Sequence, residues 1–174
     1  MTKLEELIKE LCPNGVDNVE LGEVLNYEQP QKYIVKDTNY DKSYRTPVLT
    51  AGQTFILGYT NEIEGIYCAS KDNPVIIFDD FTTSFHWVDF DFKIKSSAMK
   101  MLRVKDTKKC LFKYIFYAMQ TIKYVPYGHT RQWIENYSRL QIPLPPLAVQ
   151  REIVQILDKF TLLSAELTAE LTAR

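Results

Sequence analysis

The sequence predicts a mixed α/β fold, in which a β-rich body with flanking helices is followed by a long coiled-coil-type helix. Between residues 19 and 103 the apolar residues form short runs separated by Gly- and Pro-containing breaks, a pattern typical of strands and turns. On both sides of this region apolar residues recur at three- and four-residue steps, which indicates helices. Because 45% of the 174 residues are apolar, the chain has enough material for one packed core.

The first predicted helix covers residues 2–11, where four aliphatic side chains share one face and charged side chains occupy the rest. A Cys-Pro-Asn-Gly sequence at 12–15 ends it. In the β-rich body, residues 74–78 (PVIIF) predict a buried strand. Residues 87–95 alternate with period two, which predicts a single half-buried strand with Asp91 and Lys93 on its wet face.

After this body, residues 111–124 predict a second helix and residues 139–142 a last strand. The proline-rich residues 143–147 (PLPPL) suit neither a sheet interior nor a helix, so we place a boundary there. The prediction is a recognition domain over 1–146 and a spacer or dimerisation helix over 147–174. An apolar seam on that helix should bind a partner helix. Its residues are Ile153, Ile156, Leu157, Phe160, Leu163, Leu167 and Leu171.

Charge and composition limit the classes of function. The 21 Lys and Arg against 22 Asp and Glu give a net charge of −1, without the basic excess usual for nucleic-acid binding. DNA binding would need locally concentrated positive charge, or a partner subunit that supplies much of the phosphate contact. No secretory signal and no run of about 18 apolar residues occurs, so we expect a soluble, cytoplasmic protein that does not bind membranes.

The signatures of common enzymes are missing from the sequence. There is no phosphate-binding GxxxxGK[ST] loop, no GxSxG nucleophile and no HExxH zinc motif. The Asn-Pro of residues 73–74 is not followed by the Pro-Tyr or Pro-Phe of adenine methyltransferases, and the three cysteines lack zinc-ligand spacing. We therefore predict a protein that is not an enzyme and holds neither a metal nor a cofactor itself.

Residues 140–158, LQIPLPPLAVQREIVQILD, resemble the junction between a target-recognition domain and its spacer helix in Type I restriction-modification specificity subunits. Shorter matches occur at 11–16 (LCPNGV), 21–24 (LGEV), 78–81 (FDDF) and 128–131 (GHTR), so that the resemblance extends over nearly the whole chain.

The resemblance implies a specificity subunit that selects a DNA sequence and leaves the chemistry to its partners. In this family two recognition domains, separated by antiparallel helices, bind two methyltransferase subunits and, for cleavage, ATP-driven restriction subunits. S-adenosylmethionine would bind the methyltransferase. This chain matches one half of such a subunit, so reading a two-part double-stranded DNA target would require a second recognition domain or a homodimer.

Base reading requires side chains that reach base edges with paired donors and acceptors, so polar loops are the candidates. The favoured loop holds Tyr127, His129, Thr130, Arg131 and Gln132. Two further segments contribute candidate contacts. Their residues are Thr82, Thr83 and Ser84 in one, and Arg45, Gln53 and Tyr59 in the other.

Two alternatives remain open from the sequence. Asp79 or Asp80, followed by Asp91 and Lys93, resembles the PD-(D/E)xK nuclease pattern, in which two carboxylates bind Mg²⁺ beside a lysine. The same alternation is produced by any half-exposed strand. The other alternative is a protein-interaction adaptor, whose terminal helix docks on partners while the body only positions it.

Overall fold

A computed structural model describes residues 1–52 and 54–172. It confirms the mixed α/β class, with several sheets and a long C-terminal helix. In chain order the elements are α1 (Lys3–Leu11), β1 (Asn18–Glu20), α2 (Leu21–Val24), β2 (Leu25–Glu28), β3 (Thr46–Leu49), β4 (Ile56–Thr60), β5 (Val75–Asp79), β6 (Phe85–Val88), β7 (Lys93–Ile94), β8 (Met99–Val104), α3 (Phe112–Gln120), β9 (Gln141–Pro143) and α4 (Leu147–Thr172).

The chain forms two compact units, each assembled from separated stretches of sequence. The first, here called the helical unit, comprises Met1–Val19, Asp106–Ile122 and Gln141–Arg174. The second, the sheet unit, comprises Glu20–Lys105 and Lys123–Leu140. The boundary that the proline-rich stretch predicts at residue 146, between a recognition domain and a spacer helix, stays a prediction.

In the helical unit α4 packs against α1 and α3, and the Lys3 ammonium pairs with the Glu152 carboxylate. α1 begins with a capping box, in which Thr2 accepts a hydrogen bond from Glu5 N and the Glu5 carboxylate accepts one from Thr2 N. The buried Gln150 amide donates to Lys109 O (3.0 Å) and Pro145 O (2.8 Å). These contacts fix the first turn of α4 on the unit.

The sheet unit is built around β5, one of the two inner strands of the order β2-β8-β5-β6. All neighbours in this sheet are antiparallel. Val75 and Ile77 point into the main apolar cluster, whereas Phe78, on the other face, packs against Trp133 and Tyr137 at ring distances of 5.2 and 4.9 Å. Burial on both faces explains why residues 75–78 form a continuous apolar run.

The second sheet of this unit has the order β4-β3-β7, with β3 and β7 parallel. Our prediction of one strand over residues 87–95 is wrong, because β6 ends at Val88 and β7 belongs to this other sheet. Lys93 is not on a wet face: it is 1% exposed, and its ammonium pairs with the Glu62 carboxylate at 2.9 Å. Period-two alternation continues through the junction, so it does not reveal the change of sheet.

The remaining predicted elements differ mainly at their ends. The helix expected over residues 111–124 ends at Gln120, and the strand expected over 139–142 forms as β9, which pairs with β1. Among the described residues, none of the helices combines the length and apolar character needed to cross a lipid bilayer.

Candidate nucleic-acid interface

Two of the loops singled out in the sequence meet in the sheet unit. Asp80 directly follows β5, and its carbonyl accepts a hydrogen bond of 2.8 Å from Gln132 N. One oxygen of its side chain, Oδ1, accepts two more from backbone N–H groups, Gln132 N at 3.1 Å and Trp133 N at 2.8 Å. The β5–β6 turn is thereby joined to the segment that carries Arg131.

The other Asp80 oxygen, Oδ2, lies between two cations. Lys100 Nζ approaches to 3.1 Å and Arg131 Nη1 to 3.4 Å. The Asp80 and Lys100 side chains are each 1% exposed, whereas that of Arg131 is 48% exposed. Arg131 also donates to Ser97 O at 3.1 Å, and its guanidinium lies 5.7 Å from the Phe81 ring centre. The buried Asp80–Lys100 pair thus binds a second cation, the half-exposed Arg131, at the protein surface.

The β5–β6 turn has a strained conformation held by Asp79. The Asp79 carboxylate accepts hydrogen bonds from Phe81 N (2.8 Å) and Thr82 N (2.9 Å), and Thr83 takes a positive φ of 58°. A β-branched residue rarely adopts this conformation. Thr82 is exposed, Ser84 is half-buried, and Thr83 is buried. Within this turn, only Thr82 presents a largely exposed hydroxyl side chain.

The Arg131 loop is stabilised from inside by Gln132, which is completely buried. Its amide nitrogen donates to Thr130 O (2.9 Å) and Tyr127 O (3.3 Å), and its amide oxygen accepts from Tyr124 OH (2.6 Å). The amide therefore has its partners within the protein and no exposed atom for a base. Gln132 therefore shapes the loop in this conformation, and its predicted contact with DNA stays a prediction that the buried amide does not support.

The outer surface of the same loop is exposed. Tyr127 is 90% exposed and precedes Gly128, whose φ of 66° favours glycine. His129 stacks on Phe81 with ring centres 4.7 Å apart, and Thr130 is exposed. With the turn residue Thr82 these side chains form one set, here called the candidate interface. It consists of Thr82, Tyr127, His129, Thr130 and Arg131.

The third predicted segment lies on the other sheet. Arg45 is exposed and directly precedes β3, and Tyr59 is half-buried on β4, where it pairs with Pro47. Gln53, the remaining candidate of that segment, lies outside the described residues.

The nuclease pattern does not come together. Lys93 pairs with Glu62 and donates to Glu64 O at 2.7 Å, while Asp80 pairs with Lys100. The part of the chain that the structure describes contains no group of three or more His, Cys, Asp or Glu side chains suited to a metal ion. Asp80 and Lys93 therefore serve separate ion pairs, Asp79 accepts backbone hydrogen bonds in its own turn, and the nuclease alternative has no support.

Sequence reasoning missed Lys100 and considered Asp80 only as an acid of the nuclease alternative. Lys100 stands between two buried methionines in β8, and a lysine in an apolar strand requires a buried counterion. A lysine flanked by methionines in an apolar run was therefore a signal that the sequence contained. The sequence did not identify Asp80 as the counterion, because Asp80 is 20 residues away.

The predicted seam of α4 divides into two parts. Ile153, Ile156 and Leu157 are half-buried within the helical unit. Further along the helix the seam is exposed, and its side chains are between 59% and 64% accessible. These residues are Phe160, Leu163, Leu167 and Leu171.

Comparison with known proteins gives consistent results. Residues 13–174 match the family described as the Type I restriction modification DNA specificity domain. The specificity subunit of the Type I restriction enzyme EcoR124I/EcoR124II from Escherichia coli is 56% identical over 183 aligned positions, which cover 100% of this chain and 45% of the relative. The chain thus spans less than half the length of this curated relative.

Solved structures show the same fold. The S subunit of a Type I restriction-modification system from M. genitalium matches with a TM-score of 0.68 and 12% identity, over 90% of this chain and 42% of that one. The HsdS subunit from Thermoanaerobacter tengcongensis matches with a TM-score of 0.56 and 16% identity, over 96% and 44% respectively.

Proposed function

The chain belongs to the family of Type I restriction-modification DNA specificity domains, and we propose that it reads one half-site of a two-part double-stranded DNA target. It catalyses no reaction itself. The observation that carries this proposal is the family match over residues 13–174. The candidate interface supports it, because exposed hydroxyl, guanidinium and aromatic groups are held together by a turn and a loop that Asp80 joins, as base reading requires.

Within the candidate interface, Arg131 is the proposed base reader. A guanidinium donates two parallel hydrogen bonds to guanine O6 and N7, the most common specific contact in the major groove. Thr82 and Thr130 supply hydroxyl groups suited to phosphates. His129 and Tyr127 present aromatic surface beside them. Arg45 and Tyr59, on the other sheet, are retained as secondary candidates for backbone contact.

The partners follow from the same family. A methyltransferase subunit would bind S-adenosylmethionine and receive the flipped target base, and a restriction subunit would join for cleavage. The net charge of −1 favours this division, because a chain without a basic excess gains affinity when partners share the phosphate contacts. Alone it should bind DNA weakly.

The exposed seam of α4 is the proposed site of assembly. Phe160 and the three leucines that follow it expose an apolar stripe that is unstable in water unless another helix covers it. The covering helix would come from a second recognition domain or from a second copy of this chain. Either would supply the reader of the other half-site.

The experiment is to assemble the chain with its cognate methyltransferase and measure which sequences of a random DNA library become methylated. R131A should relax the preference at one base position, by about 1–3 kcal/mol, more than it lowers overall methylation. Arg139, an exposed arginine outside the candidate interface, provides the matched control, and R139A should keep the preference. An unchanged preference in R131A would refute the Arg131 assignment. Failure to assemble with any methyltransferase would refute the function.

A further inference from the structure

We propose that Lys100, which is too deeply buried to touch DNA, determines whether Arg131 can do so. Lys100 gives Asp80 a permanent counterion, and Arg131 is thereby free to leave the carboxylate. The inference rests on the proposed function, since it concerns the release of the proposed base reader.

Each oxygen of the Asp80 carboxylate has a partner other than Arg131. Its Oδ1 accepts two backbone N–H groups, from Gln132 and Trp133, and its Oδ2 pairs with Lys100 at 3.1 Å. A completely buried carboxylate needs a countercharge, because leaving it unpaired is strongly unfavourable. Lys100 meets that need, so the contribution of Arg131 is additional.

The two cations differ in how firmly they are held. The Lys100 ammonium lies 4.8 Å from the centre of the Tyr27 ring and its side chain is 1% exposed, so it is shielded from solvent. Arg131 is 48% exposed, stands further from Oδ2 at 3.4 Å, and has the Ser97 carbonyl as its other acceptor. A half-exposed pair of this length is weak and easily exchanged.

On DNA the Arg131 guanidinium can therefore exchange the carboxylate oxygen for a base edge. Asp80 stays neutralised by Lys100 and continues to hold the backbone of Gln132 and Trp133, so the loop keeps its shape during the exchange. Without Lys100, departure of Arg131 would leave a buried charge unpaired. Arg131 would then be retained by Asp80 and lost to the DNA.

The test uses the chain assembled with its methyltransferase and the same random library. K100M should reduce the preference at the position read by Arg131 about fivefold or more, as R131A does. The control is K93M, which removes one positive charge from another buried pair of the sheet unit. It should lower methylation evenly across sequences and keep the preference. Thermal melting and far-UV circular dichroism identify the variants that fold.

The double variant D80N/K100M tests whether K100M acts by retaining Arg131 at Asp80 or only by removing a positive charge. The amide oxygen introduced by D80N can still accept from Gln132 N and Trp133 N, but no carboxylate remains to retain Arg131. The preference lost in K100M should return. Where K100M alone does not fold, the double variant decides: it should bind a selected target duplex a few-fold more tightly than the unmodified chain, because Arg131 has no ion pair to break.

The outcomes distinguish this inference from the proposed function. If R131A relaxes the preference but a folded K100M keeps it, the role of Lys100 is wrong and the function stands. A double variant that folds but neither regains the preference nor binds more tightly would also overturn it. If R131A itself changes nothing, Arg131 is not the reader and the inference falls with that assignment.

Discussion

The sheet unit contains two buried lysines, Lys93 and Lys100, each paired with a carboxylate. The two carboxylates bind their partners in the same pattern but differ in the number of cations they hold. Around Lys93, one oxygen of the Glu62 carboxylate takes the ammonium at 2.9 Å, while the other accepts the N–H groups of Lys36 and Asp37, both at 2.8 Å. Around Lys100, the two oxygens of Asp80 divide their partners in the same way. Each carboxylate thus fastens a distant loop to a sheet.

The difference is the second cation. In the described part of the chain, Lys93 is the cation paired with Glu62, whereas Asp80 holds Arg131 in addition to Lys100. One arrangement therefore has a structural role alone. The other also presents an exposed guanidinium at a defined position, which connects a core ion pair to the surface proposed to read DNA.

The largest expected effect is that of D80A. This substitution leaves Lys100 charged and buried and removes the acceptor of two backbone N–H groups, so the free energy of unfolding should fall by about 3–5 kcal/mol. Urea unfolding of the isolated chain measures it. A loss below about 1 kcal/mol would show that the Asp80–Lys100 pair contributes little to the stability of the core, and the comparison with the Glu62–Lys93 pair would then fail.

E62Q should have a smaller effect at the other lysine. Lys93 keeps hydrogen bonds to Glu64 O (2.7 Å) and Gly65 O (3.3 Å), and the new amide still offers an oxygen. We expect a loss of about 2 kcal/mol, typical of a hydrogen bond to a charged group. A loss equal to that of D80A would mean that the Glu62 pair contributes as much to stability as the Asp80 pair.

E62Q should also change the acid dependence of stability. Burial acts to raise the pKa of Glu62, but hydrogen bonds from Asp37 N, Lys93 and Lys36 N outweigh it, so the pKa lies below its ordinary value of 4.5. Such a group contributes stability that is present above pH 4.5 and is lost as the pH falls through the lowered pKa. Unfolding free energies measured between pH 7 and 3 should therefore decline less steeply in E62Q.

The smallest expected effect is a gain. T83N places a residue that tolerates positive φ in the turn beside Asp80, and should raise the free energy of unfolding by up to about 1 kcal/mol. T82N, at the exposed neighbour, should stay within about 0.5 kcal/mol of the unmodified chain. If T83N destabilises the chain, the buried Thr83 side chain contributes more to packing than its conformation costs.

Local periodicity was sufficient to predict α1, α3, α4 and the buried strand β5, because the pattern that defines them lies within the element, whereas it did not predict the one-turn helix α2. It failed at residues 87–95, where the alternation that suits one strand passes from β6 to β7 across two sheets. It failed again at Lys93, whose burial depends on Glu62, a residue that no local pattern connects to it.

The candidate interface was predicted in its parts and not in its arrangement. Arg131 and Gln132 are adjacent and both polar, yet one faces solvent and the other the interior. Asp80 produces this difference by holding the backbone between them, and sequence spacing does not reveal a contact between such distant residues. The division of the loop into exposed and buried side chains therefore required the fold.

The interleaving of the two units has a practical consequence for building chimaeras. The sheet unit enters the chain twice, at Glu20–Lys105 and Lys123–Leu140, and Asp80 in the first stretch binds the backbone of Trp133 in the second. If either stretch is exchanged alone, the loop before Trp133 and the Asp80 turn that binds it come from different proteins. A DNA preference should transfer between relatives only when both stretches move together.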